Sequence, residues 1–253
     1  MLCYNIWEVI SVQRYFLETS EITNSKAIIN GQDFHHIKHV MRMKIGDKVV
    51  ICDKNSHCYL SEITDFNMDG CVVKTIEELT NKNRMIQIDI AQSLIKKDAF
   101  ETVIQKSTEL GVRTIIPLMA KNSIIKIDDK KLDSKHKRWN TIAKEASEQS
   151  ERNTKAMVQK PLSIAELSYD QYDYVIVMYA RGKESNINAD MLKTDKKLLL
   201  LIRPEGGFDL KEIAFLKDQS NTIFFTIQNR ILRSETASIY MLSVLNYLSE
   251  IGD

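Results

Sequence analysis

The chain has 253 residues, of which 43% are hydrophobic, so it can bury one large core or two small ones. Its formal net charge is only +1, which argues against a uniformly basic protein that binds nucleic acid through bulk electrostatics. No stretch reaches the ~18 uninterrupted apolar residues that a membrane-spanning helix needs.

Residues 1–11 contain Trp7 and several apolar residues, but they lack the basic start and the small-residue cleavage site of a signal peptide. We interpret them as an N-terminal extension. This extension is either native or an addition upstream of a true start near Val12.

The four cysteines form no CxxC pair, and no second ligand pair lies at zinc-site spacing from His57 and Cys58. We therefore expect reduced thiols that mostly pack in the core, a cytoplasmic protein and no metal site. The residues concerned are Cys3, Cys52, Cys58 and Cys71.

Positive charge is concentrated locally. Between Lys121 and Lys160 there are eleven Lys and Arg against six Asp and Glu, and between Lys26 and Lys48 there are five against two. Each excess fits either an RNA-binding footprint or an ordinary solvated lysine-rich surface.

Short strand patterns fill residues 12–80, which we expect to form a small β-barrel domain. The run from Gln32 to Met43 predicts one short helix with Phe34, Ile37, Val40 and Met41 facing inward. Residues 80–84 are polar and lack periodicity, so the linker is placed there. Three strands with Asp, Asn or Gly turns between them are predicted: Lys48–Cys52, Cys58–Ile63 and Cys71–Ile76.

Strand and helix patterns alternate through residues 84–253, which predicts an α/β domain with a parallel sheet and helices on both faces. Met85–Leu94 alternates like a strand, and Asp98 with Glu101 forms a capping-box pattern for the helix that follows. Gly111 is expected to end that helix, and Val112–Met119 to form the next strand, which completes a βαβ unit.

Two consecutive strand–loop–helix units follow near the end of the chain. Leu198–Ile202 is a continuous apolar run that ends at a Pro and a Gly pair, and Asp209 with Glu212 then forms a capping box. Thr222–Ile227 is a second short strand, followed by a polar loop and a helix for which Ser234 is the expected N-cap. Each loop alone fits a tight turn. Together they favour a ligand pocket at adjacent strand ends.

Several ordered motifs resemble the bacterial 16S ribosomal RNA uridine N3-methyltransferases, the RsmE family of the trefoil-knotted SPOUT class. The resemblance covers nearly the whole chain. Its motifs are Gln13–Phe16 (QRYF), His35–Asp47 (HHIKHVMRMKIGD), Lys106–Val112 (KSTELGV), Glu145–Arg152 (EASEQSER), Ile202–Phe208 (IRPEGGF) and Arg230–Ala237 (RILRSETA).

The resemblance implies a PUA-like barrel for RNA at residues 12–80 and a knotted methyltransferase domain at residues 84–253. It implies that the protein is a homodimer through the C-terminal domain, uses S-adenosylmethionine as cofactor and acts on 16S rRNA in the small ribosomal subunit. Arg233 and Glu205 are the implied catalytic candidates, and Arg14, His36, Arg42, Lys44, Lys97 and Arg152 are the implied RNA contacts. The implied cofactor-binding residues are Leu201, Ile202, Arg203, Pro204, Glu205, Gly206, Gly207, Phe208, Thr226, Ile227, Gln228, Asn229, Arg230, Ile231 and Leu232.

The chain departs from the family pattern at Arg203 and Gln228, where glycine is usual. A side chain is costly at a positive φ, and a long one can enter the donor site. The alternative hypothesis is therefore a knotted RNA-binding or ribosome-binding protein with impaired donor binding. A phosphate-binding α/β enzyme fits less well, because the sequence has neither a P-loop nor a GxGxxG motif.

Overall fold

The structure is a computed structural model that describes residues 12–17, 22–79, 86–123, 125, 128–179, 187–193, 195–227 and 230–251. These residues form two compact units. Unit 1 takes the described residues up to Leu79 together with Glu151–Thr154, and unit 2 takes the rest. Among the described helices, none is both long enough and apolar enough to cross a membrane.

Unit 1 contains a five-stranded mixed sheet in the order β1-β3-β4-β5-β2, in which only the β1–β3 pair is parallel. Its core contains Tyr15, Ile51 and Ile63, each almost fully buried. The strands are β1 (Arg14–Phe16), β2 (Lys26–Ile29), β3 (Lys48–Cys52), β4 (Cys58–Phe66) and β5 (Cys71–Leu79).

The predicted single helix over Gln32–Met43 is wrong in its second half. Helix α1 (Gly31–His35) continues directly into a π-helical turn, His36–Val40. The N–H of Met41 bonds to the carbonyl of His36, five residues back, which shifts the helical period. Ile37 is therefore fully buried as expected, but Val40 and Met41 are exposed rather than inward-facing.

Two of the cysteines contradict the prediction of reduced thiols. Cys52 and Cys58 lie directly opposite each other in the β3–β4 register and form a disulfide. They are six residues apart in sequence, so no CxxC pattern announces the pairing. Cys71 is a free buried cysteine, as expected, and its burial raises the pKa of its thiol to about 11. Cys3 lies outside the described residues.

Unit 2 contains a parallel sheet in the order β12-β10-β11-β6-β7-β8, with β9 pairing to β7. The predicted parallel sheet with helices is confirmed. The strands are β6 (Gln87–Ser93), β7 (Thr114–Met119), β8 (Met157–Val158), β9 (Leu162–Ser163), β10 (Tyr174–Met178), β11 (Lys197–Ile202) and β12 (Thr222–Phe225). The helices are α2 (Lys97–Glu109), α3 (Asp129–Gln149), α4 (Leu210–Lys217) and α5 (Ser234–Ile251), with 3-10 turns at Ile164–Glu166, Tyr169–Gln171 and Ala189–Leu192.

The central strand β11 is buried on both faces. Leu198, Leu200 and Ile202 pack in one core cluster with α2, α3 and α5 residues, whereas Leu199 and Leu201 pack in a second cluster with α4 residues. Successive side chains of a strand point to opposite faces, so both faces must be apolar here. This explains the continuous apolar run in the sequence.

The expected capping box at the start of α2 does not form. The helix begins at Lys97 with no side-chain cap, and Glu101 forms a bidentate pair with Arg138 of α3 instead. The prediction for the other end is confirmed, because Gly111 adopts a positive φ of 84° just after the last helical residues.

Candidate active site

The carboxyl ends of three neighbouring parallel strands meet at one edge of the unit 2 sheet. Strand β10, which ends at Met178, lies between β11, which ends at Ile202, and β12, which ends at Phe225. A cleft opens there, which is the place where open α/β sheets bind ligands. It is lined by Met178, Tyr179, Arg203, Ile227, Arg230, Ile231, Leu232, Ser234 and Ala237.

Five of the residues that the sequence predicts for donor binding line this cleft: Arg203, Ile227, Arg230, Ile231 and Leu232. Leu201, Ile202, Pro204 and Phe208 are buried and do not line it, whereas Glu205 and Gly206 are exposed and Gly207 is half-buried. Gln228 and Asn229 lie outside the described residues.

Four cleft residues were not predicted from the sequence as ligand contacts: Met178, Tyr179, Ser234 and Ala237. Met178 is the last residue of β10 and Tyr179 follows it, in an apolar run that carries no ligand-binding motif. Their place in the cleft follows from the strand order, which puts β10 between β11 and β12, the strands that lead into the two predicted donor-binding loops. A parallel strand that ends between two ligand-binding loops is the signal that could have identified them.

The character of the cleft fits S-adenosylmethionine. Its wall is mixed, because Met178, Ile227, Ile231 and Leu232 supply apolar surface while Tyr179, Arg203, Arg230 and Ser234 supply polar groups. A nucleoside also has apolar faces and hydrogen-bonding edges, which such a wall can hold. The hydroxyl of Thr226, the residue before Ile227, is buried and has no hydrogen-bond partner among the described residues. A buried hydroxyl of this kind is a natural partner for a polar ligand group.

Arg203 occupies its non-glycine position without backbone strain. Its backbone φ is not in the positive range. Its Nη1 donates to the carbonyl oxygens of Pro204 at 3.2 Å and Glu205 at 3.4 Å, so the guanidinium folds back on its own loop while lining the cleft. Desolvation by burial lowers the pKa of Arg203 from its ordinary value. The second departure, Gln228, lies outside the described residues.

The glycine-rich loop, Arg203–Phe208, is held by the segment after β7. The Asn122 amide donates to the carbonyl of Gly207 at 3.2 Å, and the Lys121 ammonium donates to Asp209 at 2.9 Å. Asp209 and Glu212 form the predicted capping box at the start of α4. The second half of the loop and the start of α4 are therefore anchored to this segment.

The two catalytic candidates are exposed beside the cleft. Arg233 directly follows the cleft residue Leu232, and Glu205 lies in the glycine-rich loop. The Arg233 carbonyl accepts the N–H of Ala237 at 2.8 Å, which places Arg233 at the N-cap of α5. The prediction that Ser234 is the N-cap is therefore wrong by one residue, because Ser234 already lies in the helix.

Arg14 lies inside unit 1, with only 7% of its surface exposed. Its Nη1 donates to the Asn153 side chain at 2.5 Å and to the Arg152 carbonyl at 3.0 Å, and it lies 3.6–3.7 Å from the sulfurs of Cys58 and Cys52. These contacts tie the Glu151–Thr154 segment to β1, so a phosphate contact would require Arg14 to leave them.

The other predicted RNA contacts are more accessible. Arg42 and Lys44 are exposed on unit 1, and Arg42 adopts a positive φ of 54°. His36 is partly exposed, and its Nδ1 lies 3.1 Å from the Tyr15 hydroxyl. Arg152 of unit 1 is partly exposed, and burial lowers its pKa to about 10. Lys97 of unit 2 is exposed at the first position of α2.

Both halves of the chain match protein-family profiles. The RNA methyltransferase domain matches residues 81–246, and the RNA methyltransferase PUA domain matches residues 29–76. The PUA match agrees with the PUA-like barrel that the family resemblance implies.

The chain is similar to a Bacillus subtilis protein named Ribosomal RNA small subunit methyltransferase E, with 36% identity over 95% of this chain and 98% of the relative. A Legionella pneumophila structure that contains bound S-adenosylmethionine shares 25% identity with a TM-score of 0.82, over 93% of this chain and 97% of that one. The fold is also that of a ribosomal RNA small subunit methyltransferase E from Neisseria gonorrhoeae, with 21% identity and a TM-score of 0.80 over 94% of this chain and 98% of that one. The chain therefore belongs to the ribosomal RNA small subunit methyltransferase E family of RNA methyltransferases.

Proposed function

We propose that this protein transfers the methyl group of S-adenosylmethionine to N3 of a specific uridine in 16S ribosomal RNA. The observation that carries the proposal is the cleft at the ends of β10, β11 and β12, which is lined by residues of the loop after β11 and of the loop after β12. Membership of the methyltransferase family supports the same reaction.

S-adenosylmethionine, when bound, supplies a methyl group on a positively charged sulfur, which is a strong electrophile. Met178, Ile231 and Leu232 would pack against its adenosine, and the backbone groups of the glycine-rich loop would hydrogen-bond to it. The guanidinium of Arg203 would hold that loop through the Pro204 and Glu205 carbonyls. The task of these residues is alignment, which accounts for much of catalysis when the electrophile is already activated.

The uridine must present N3, which lies in the base-pairing edge, so the target base has to be unpaired or extruded from its stack. Arg233 is exposed beside the cleft and carries a planar guanidinium that can hold two acceptors of a uracil or a phosphate at once. Glu205 is the candidate acceptor of the N3 proton, because it is an exposed carboxylate in the loop that borders the donor cleft.

The small ribosomal subunit is the proposed partner, and the cytoplasm the proposed location. The exposed Arg42 and Lys44, with His36 beside them, would contact RNA phosphates from unit 1, and Lys97 would do so from unit 2. Arg152 remains a proposed contact. Arg14 would contribute by holding the Arg152–Asn153 segment in place.

A homodimer through the C-terminal domain is part of the proposal. Helix α5 presents Tyr240 and Tyr247 with 36% and 62% of their surfaces exposed, and Val244 partly exposed between them. Two large aromatic residues on one helical face are typical of an interface. The trefoil knot and the domain limits at residues 12–80 and 84–253 also remain predictions.

The alternative function is a knotted RNA-binding protein with impaired donor binding. The observation that favours it is that Arg203, where the family usually has glycine, lines the cleft. Titration of the protein with S-adenosylmethionine by calorimetry separates the two functions, because a binder without donor affinity gives no saturable heat.

The enzymatic proposal is tested with small ribosomal subunits from cells that lack this methylation. We expect the protein to transfer labelled methyl groups to the 16S RNA, and nucleoside digestion with mass spectrometry to identify N3-methyluridine at one position. Reactions without protein or without donor are the controls. Methylation at another atom, or saturable donor binding without transfer to these subunits, would contradict the proposal.

A further inference from the structure

A buried glutamine lies behind the cleft. Gln92 is on β6 next to Ile202 of β11, and its surface is fully buried. Its amide nitrogen donates to the Ser234 hydroxyl at 2.8 Å and to the Ser93 carbonyl at 2.9 Å. Its amide oxygen accepts from the Ser238 hydroxyl. Both amide hydrogens and the amide oxygen therefore have partners within the protein, as a buried amide requires.

The same network reaches the backbone where the glycine-rich loop begins. The Ser234 hydroxyl donates to the carbonyl of Arg203 at 2.9 Å, and the Ser93 hydroxyl donates to the carbonyl of Ile202 at 2.7 Å. Ile202 is the last residue of β11, and Arg203 is the first residue of the loop. Two serines thus fix the direction in which the chain leaves the strand.

Gln92 orients one of these serines, Ser234. Because its amide donates to Ser234, the hydroxyl hydrogen of Ser234 is left free to donate to Arg203. Ser234 is also the first residue of α5 and follows Arg233 directly. The position of the loop and that of the helix N-terminus are therefore coupled through one buried side chain.

We propose that Gln92 is a positioning residue that holds the Arg203–Phe208 loop and the Arg233 end of α5 in the arrangement that binds donor and substrate. This inference rests on the proposed function. Gln92 does not line the cleft and takes part in no chemical step. Its effect on the reaction passes through Ser234 and the carbonyl of Arg203.

The opposite part of the same strand provides a matched control. Asp89, also on β6, is 3% exposed and accepts hydrogen bonds from Tyr172 at 2.9 Å and from Arg113 at 2.6 Å. Among the described residues, none of the hydrogen bonds of Asp89 reaches a residue that lines the cleft. Tyr172→Phe removes one buried hydrogen bond from β6 and leaves the Gln92 network intact.

The experiment compares Gln92→Met, Gln92→Glu and Tyr172→Phe with the unchanged protein. Methionine keeps the length of glutamine but makes no comparable hydrogen bonds. An ionised glutamate keeps the shape but only accepts, so it would draw the Ser234 hydroxyl away from Arg203. Hydrogen exchange is measured on the protein without donor, and donor affinity by calorimetry.

We expect both Gln92 variants to speed the exchange of backbone amides in the 203–208 and 233–238 segments, with Tyr172→Phe leaving those segments unchanged. We expect donor affinity to fall about tenfold in the Gln92 variants, since each leaves a buried hydroxyl or carbonyl without its partner. Ser234→Ala is expected to weaken donor binding similarly. Combining Ser234→Ala with Gln92→Met should weaken donor binding little further, because both substitutions remove the same Gln92–Ser234 hydrogen bond.

The proposal is overturned if exchange in both segments and donor affinity stay within about twofold of the unchanged protein while thermal stability falls as much as in Tyr172→Phe. That outcome would give Gln92 a purely structural role. The exchange measurement needs no activity, so it separates this result from a failure of the methyltransferase proposal. In that second case the unchanged protein itself would transfer no methyl group.

Discussion

Gly206 packs closely against Asn122, so a side chain at residue 206 would crowd this contact. A Cβ on Gly206 would lie 3.1 Å from the Asn122 Cβ and 3.2 Å from the Asn122 carbonyl oxygen. Gly206 thus allows close contact between the loop and the segment after β7.

Gly206→Ala is expected to push the loop away from Asn122 and to reduce the free energy of unfolding by about 1–3 kcal/mol, as an overpacked contact does. Donor affinity should fall several-fold, because the loop borders the cleft. Urea denaturation and calorimetric titration measure the two effects.

Gly207→Ala is the matched comparison. Gly207 has a φ of 75°, and a methyl group on it would have no neighbouring atom within 4 Å. Alanine there therefore lowers the free energy of unfolding by about 1 kcal/mol through backbone strain and not through a clash. Asn122→Gly should partly rescue Gly206→Ala and leave Gly207→Ala unchanged. Equal rescue of both variants would refute the steric explanation.

Arg203→Gly tests whether the unusual arginine weakens donor binding. Arg203 has no positive φ and folds back on the Pro204 and Glu205 carbonyls, so glycine should not relieve strain. We expect donor affinity to stay equal or to fall up to about threefold, because a flexible glycine loosens the loop. Calorimetric titration measures the change, and Arg203→Ala separates the loss of the guanidinium from the gain in backbone freedom. A tenfold gain in affinity would favour the alternative function of an impaired donor binder.

The Cys52–Cys58 disulfide is expected to stabilise unit 1. Closing a loop of this length restricts the unfolded chain, which adds about 2 kcal/mol to the free energy of unfolding in the chain-entropy treatment. Addition of dithiothreitol should therefore lower the urea midpoint of unit 1. The double variant Cys52→Ser/Cys58→Ser should show the lower midpoint already and no further response. Dithiothreitol sensitivity in that double variant would mean that the effect arises elsewhere.

Local sequence patterns were sufficient for several regular elements of unit 2. The Leu198–Ile202 run identified a doubly buried strand because its burial on both faces leaves no polar position. The Asp209 and Glu212 box was found for a similar reason, since both of its hydrogen bonds are local. Patterns that span a few residues can be read from the sequence directly.

Long-range pairings were not readable in this way. The Cys52–Cys58 bond depends on strand register, and the place of Met178 in the cleft depends on strand order. Gln92 bonds to Ser234, 142 residues away. A polar residue within a strand pattern gives no sign of its partner. The site could therefore be located from the sequence, but the residues that support it could not.

Arg233→Ala is expected to lower the methyl-transfer rate by about 100-fold or more, because removal of one preorganised donor typically has this effect at an active site. The fold should be kept, since the Arg233 side chain is exposed and its structural contact, the bond from Ala237, uses the backbone carbonyl. Arg233→Lys keeps the charge but loses the planar fork, so it should recover only part of the rate. Single-turnover transfer to 16S RNA gives the rate, and circular dichroism with calorimetric donor titration shows whether fold and donor affinity persist. A full rate in Arg233→Ala would exclude the substrate-orienting role, and a loss of rate matched by a loss of donor affinity would reassign Arg233 to the donor site.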